Sequence, residues 1–358
     1  MVAFLSGYPR KEVDRLRRSY MKELNKSEGF DVSGLPVPDS APGLTEHICN
    51  DTCSPLILLY AKLGLHRYNL VQGKNLQPSS VKKYNKSMGS VNSSYYITLV
   101  AIDPATQLLQ TFQTRVNELR YGELVLECCT ARPLGETHIC GIKKSSDHKP
   151  VEDLLHTFPE WPPKNPFKKS KRCYVLKKSE LRENDDWIRL YLELAVAASN
   201  RDTLENHLVS NLKIVKVAID TTSTQEGLDL FAIVYIRYKD SCEARVGKDV
   251  DRVAVVRRFF NEGMGSFSLV GQNLGVEPRA GHERDASWNG SSHFYRVADV
   301  LCCLIENTLI VGRELSLGSR TSELGSETLW GEADRRRELE QMREQETRSG
   351  FRVRRIAG

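Results

Sequence analysis

With 358 residues, of which 40% are hydrophobic, 8% aromatic and 27% charged, the chain has a globular composition and enough apolar mass for a sizeable core. Collagen-like and wholly disordered classes are excluded. The net charge of +5 is local: between positions 163 and 182 eight basic residues face Glu180 alone. The remainder is slightly acidic and lacks the broad basic surface of a dedicated duplex DNA binder. Length points to two domains plus tails.

Residues 11–26 place Val13, Leu16, Tyr20 and Leu24 at helical spacing on a charged stretch, which predicts a surface or docking helix. The Pro- and Gly-rich residues 31–43 read as a linker. Asp51 and Thr52 before Pro55 open a second helix, whose apolar stripe Leu56, Ile57, Leu59, Tyr60 and Leu63 is expected to close at Gly64. Strands are expected over 67–72, 80–86, 95–102, 108–116 and 123–131. One helix on an antiparallel meander is an α+β arrangement.

Prolines and lysines between 146 and 172 read as an inter-unit linker that can bury little. In 187–197, Ile188, Leu190, Leu192, Leu194 and Val196 alternate with polar neighbours, although Trp187, Leu190, Tyr191 and Leu194 also fit a helix. Strand is the reading taken. Further strands are expected over 212–221, 230–239, 253–260 and 266–269, the last two joined by a hairpin loop. The expected division is a helix and linker (1–42), an α+β unit (43–145), the linker (146–172), a second β-rich unit (173–272) and a poorly structured charged tail (273–358). Within the tail, 295–310 reads as a helix and 332–348 alternates Arg and Glu.

The nine cysteines are expected to be reduced, because residues 1–8 do not make a secretory signal. The longest apolar run, 297–311, is too short and too polar to span a bilayer. His47, Cys49 and Cys53, with His138 and Cys140, offer zinc-like donors, but their spacing matches no common Cys-x-x-Cys knuckle, so no metal or other cofactor is expected. Asp147, His148, Glu152 and His156 gather acid and imidazole groups without a nucleophile motif beside them, and the chain is read as a non-enzyme. Lys168, Lys169, Lys171 and Arg172 form a basic run that suits nuclear import or phosphate contact, weighed equally against a solvated linker.

The strings Ser-Pro-Leu-Ile-Leu-Leu-Tyr-Ala-Lys-Leu-Gly-Leu-His-Arg-Tyr-Asn at 54–69, 96–103 and Asp-Trp-Ile-Arg-Leu-Tyr-Leu-Glu-Leu-Ala from 186 resemble an uncharacterised plant family expanded in crucifers. That family includes an embryo-defective gene product and a male-sterility protein, and the resemblance runs from about position 35 to about 272. It implies a cystatin-like fold for at least one unit. It does not imply protease inhibition, because Val71-Gln72-Gly73 and the string at 113–117 lack the Gln-x-Val-x-Gly order. The resulting expectation is a non-enzymatic scaffold of the nucleus or cytoplasm, in embryo or reproductive development, with protein partners and no membrane. A diverged thiol-protease inhibitor and a nuclear protein touching nucleic acid weakly through the basic loop are the alternatives.

Overall fold

The computed structural model describes residues 10–35, 43–50, 52–88, 92–136, 154–162, 164–168, 170–201, 209–220, 231–246, 250–261 and 265–274. Ten strands run through them: β1 (Leu44–Ile48), β2 (Gln77–Ser87), β3 (Ser94–Ile102), β4 (Leu109–Glu118), β5 (Leu124–Pro133), β6 (Cys173–Val175), β7 (Leu212–Asp220), β8 (Ala232–Asp240), β9 (Val250–Asn261) and β10 (Ser266–Leu274). They form one antiparallel sheet in the order β1-β2-β3-β4-β5-β10-β9-β8-β7-β6. The joint is β5 against β10, with Leu126 opposite Leu269 and Cys128 opposite Phe267.

This corrects the expected fold class. The protein is mostly β, built on one ten-stranded sheet, and is not a cystatin-like α+β unit followed by a separate β-rich unit. Strands are expected in both halves of the sequence, but the pairing of β5 with β10 makes their hydrogen-bond ladders continuous.

Two helices cover one face, α2 (Pro55–Gln72) and α4 (Asp185–Ser199); α3 (Lys178–Glu183) leads into α4, and the short α5 (Glu243–Val246) follows β8. α2 lies across β2 to β5, α4 across β5, β9 and β10, and the two helices touch. Their side chains merge with alternate strand residues in one core that includes Leu59, Leu63, Ile97, Phe112, Leu126, Tyr191, Leu194, Val234, Val256 and Leu269.

Three helix expectations change. α2 runs on through 67–72, where a strand is expected, and stops at Gly73, whose φ of 60° lets its N–H bond the Asn69 carbonyl. Gly64 does not end the helix. It sits where α2 crosses β4, and a Cβ there would stand 2.4 Å from Thr114 Cβ, so glycine permits the close approach. The stretch 187–197 is helix α4 and not a strand; Ile188, Leu190, Tyr191, Leu192, Leu194, Ala195, Val196, Ala197 and Ala198 are all buried.

The opposite face has its own cover. α1 (Arg10–Lys26) and the turn after it place Tyr20 Oη to accept from Leu44 N–H at 2.8 Å, and Phe30 edge-on to Tyr96 at 5.6 Å. Further along, Phe158, Trp161 and Phe167 pack on Tyr235, Val255 and Phe259. The Pro/Lys-rich stretch therefore buries aromatics where it is described. The tail from 275, including 295–310 and 332–348, lies outside the described residues. Among those described, no helix is long and apolar enough to cross a membrane.

Candidate functional site

The sheet edge at β1 and β2 and the first turn of α2 enclose a cleft of about 570 Å³. Thr45 and His47 of β1, with Tyr84 and Lys86 of β2, form one wall; Ser54, Leu56 and Ile57 form the other. Period-two alternation brings this about, since His47 opposite Tyr84 and Thr45 opposite Lys86 all project from the face that α2 covers. His47 stacks flat on Tyr84, 4.6 Å between ring centres. Partial burial, and then the Lys86 charge, hold the His47 imidazole below its ordinary pKa.

The floor is a charge cluster. Glu118 continues the core-facing register of Phe112, Thr114 and Val116 in β4, and its side chain is 2% exposed. Tyr60 of α2 and Arg201, just beyond α4, both donate to its carboxylate, and Arg201 also donates to Tyr60 Oη at 2.7 Å. Burial and the neighbouring carboxylate push the Tyr60 hydroxyl well above its ordinary pKa and that of Tyr95 to about 12. The Arg201 guanidinium is opposed by burial, but Tyr60 and Glu118 outweigh it and strengthen its hold on the proton. These groups answer one another's charge. Tyr121 and Met88 stand at the mouth, 54% and 48% exposed.

Of the residues singled out from the sequence, His47 lines this cleft, while Cys49 and Cys53 are joined to each other by a disulfide with Cα atoms 5.0 Å apart. That corrects the expectation of reduced thiols for this pair; Cys128, Cys129 and Cys173 carry no disulfide. His138, Cys140, Asp147, His148 and Glu152 lie outside the described residues. His156 does not line the cleft; its carbonyl accepts from Arg120 at 3.1 Å.

The basic run is divided in its roles. Lys168 and Lys171 are exposed, Lys169 lies outside the described residues, and Arg172 reaches across the sheet edge to the buried carboxylate of Asp220 at 3.0 Å. Tyr235 Oη approaches the same carboxylate at 3.4 Å. Arg172 thus supports β7 as well as adding charge.

Sequence reading missed Glu118, Tyr60 and Arg201 as a group. An acid on the buried register of an alternating strand is the available signal for Glu118; Arg201, 83 positions away, carries none.

The fold is therefore that of a mostly β protein with a paired-charge cleft at one sheet edge. Residues 158–269 match the family model of Protein MS5. The chain is 40% identical over 256 residues to UPF0725 protein EMB2204 of Arabidopsis thaliana, spanning 69% of this chain and 77% of that protein. It is 38% identical over 289 residues to UPF0725 protein At3g19520 of the same plant, spanning 75% and 91%. This chain belongs to the UPF0725 plant family, as the strings at 54–69 and 186–195 indicated. Among solved structures, MS5 from Brassica napus is similar at 31% identity and a TM-score of 0.49, covering 63% of this chain and 100% of that one.

Proposed function

We propose that the protein is a non-enzymatic interaction module of the nucleus or cytoplasm, whose contact surface centres on the cleft beside β1 and α2. One observation carries this reading: an open cleft with exposed Tyr121 and Met88 at its mouth stands over a floor whose charges are already satisfied within the protein. Raised tyrosine hydroxyls and an ion-paired carboxylate suit recognition better than proton transfer near neutral pH. Exposed aromatic and Met side chains are the residues interfaces favour. The embryo-defective relative supports a role in embryo or reproductive development. The inhibitor alternative rested on a cystatin-like unit, and the ten-stranded sheet removes that footing.

The test is photo-crosslinking from position 86 on the cleft wall in plant tissue, beside a Tyr121→Ala/Met88→Ala variant that carries the same probe and a Leu108→Ser control. Loss of the crosslinked partner in the cleft variant alone is the expected result. Retention of every partner by that variant, or turnover of a small molecule by the purified chain, overturns the reading.

The exposed Lys168 and Lys171 support an import role for the basic loop. Changing Lys168, Lys169 and Lys171 to Gln, with Arg172 spared for Asp220, is expected to shift a fluorescent fusion from nucleus to cytoplasm with the melting temperature unchanged. An unaltered distribution leaves the loop as solvating charge.

A further inference from the structure

The two walls of the cleft are covalently linked. Cys49 follows β1, and its N–H continues the β1–β2 ladder to the Lys82 carbonyl at 3.0 Å; Cys53 immediately precedes Ser54, where α2 begins. The Cys49–Cys53 disulfide ties these two points together across a separation of four residues. Thr45 and His47 stand on the β1 side of the link, and Ser54, Leu56 and Ile57 on the α2 side.

We propose that this pair is a redox switch that sets the geometry of the cleft, an inference that rests on reading the cleft as the contact surface and the protein as nuclear or cytoplasmic. In those compartments a disulfide is not maintained as a passive staple; where one occurs it is transient or redox-sensing. A loop this short also removes little chain entropy from the unfolded state, since the entropic gain grows with loop length. Its distinctive effect is local, in fixing where β1 ends relative to where α2 starts.

Access is asymmetric. Cys49 belongs to the main core, 9% exposed, whereas Cys53 is partly open to solvent. A dithiol reductant of the thioredoxin or glutaredoxin class supplies the electrons. Its thiolate attacks the Cys53 sulfur, the S–S bond breaks, and the Cys49 thiolate leaves and takes up a proton. The reductant's second thiol then displaces Cys53 from the mixed disulfide, and Cys53 is protonated. Two electrons and two protons pass to the pair, and the reductant becomes a disulfide. Oxidation by a disulfide of the same class reverses each step. In the reduced state, Ser54 and the first turn of α2 are held only by non-covalent contacts, and the two walls separate more readily.

The experiment uses the full chain poised in dithiothreitol or in oxidised glutathione, with alkylation mass spectrometry and hydrogen exchange on the same samples. Two alkyl groups on the Cys49–Cys53 peptide in reductant and none in oxidant are expected, with exchange rising several-fold at 44–48 and 54–57 only in the reduced state. A Cys49→Ser/Cys53→Ser variant should show the reduced pattern in both buffers; should it not fold, the wild-type comparison decides alone. Three outcomes overturn the switch: a pair that stays bonded in reductant, a pair that never forms in oxidant, or reduction that leaves exchange at both walls unchanged. The crosslink from position 86 reports separately on the contact surface, so its failure with intact redox-dependent exchange would remove the partner reading and leave the redox-dependent geometry of the cleft standing.

Discussion

A carboxylate on the core-facing register of a strand is compatible with folding only when its charge is answered, and at Glu118 the answer comes from Arg201 and Tyr60. Both ends of the ion pair are largely buried, at 2% and 11% side-chain exposure, so removing one end strands a charge in the interior. Arg201→Met is expected to lower unfolding stability by about 3–5 kcal/mol, the range for breaking a buried pair from one side. Adding Glu118→Met to that variant should recover much of the loss, because the orphaned carboxylate is gone as well. Urea unfolding of the two single variants and the double variant measures this. A single Arg201 variant as stable as wild type would show that water, not the guanidinium, answers Glu118.

Between the two covering helices the same logic involves an imidazole. His66 of α2 meets Tyr191 Oη of α4 at 2.9 Å, and its ring is edge-on to Tyr191 and to Phe267 of β10. Burial, assisted by the Arg258 charge, lowers its pKa from 6.5 to about 3. The folded chain therefore keeps His66 neutral at pH values where the unfolded chain protonates it. Stability is fully present above about pH 6.5 and falls as the pH drops from there towards 3, by up to about 1.4 kcal/mol per pH unit. Denaturant unfolding at pH 7 and pH 5 should give a smaller difference for His66→Gln than for wild type; equal differences would mean that His66 titrates freely. The helices also show where sequence reading stopped. α4 is enclosed by α2, α3 and the sheet, so apolar residues occupy nearly every side of it and the 3.6-residue period that marks an amphipathic helix is blurred. In its place a two-residue alternation stood out, while Ala195, Ala197 and Ala198 carried the helical propensity that the alternation masked. Gly64 misled for a related reason, because a glycine needed for close approach to Thr114 looks the same in sequence as one that caps a helix.

At the scale of the molecule, the strands were legible singly and their assembly was not. β3, β4, β8 and β9 announce themselves by alternation and β-branched residues, whereas nothing local in β5 tells it to pair with β10 far along the chain. That pairing removes two would-be exposed edges and leaves β1 and β6, of five and three residues, as the sheet termini among the described residues. Short terminal strands are one way sheets avoid edge-to-edge association. The joint also makes the two halves energetically dependent, because α2 and α4 share one core across it. Phe267, 1% exposed, lies opposite Cys128 at the joint and against His66 above it. Phe267→Ala is expected to cost about 3–5 kcal/mol, as for other buried aromatic truncations. Native-state hydrogen exchange locates the loss: the slowest amides of β3 and β4 should weaken by the same free energy as those of β8 and β9, since all exchange through one global opening. If protection falls in β8 and β9 while β3 and β4 keep theirs, the ladder is continuous in geometry only and the halves unfold as separate units.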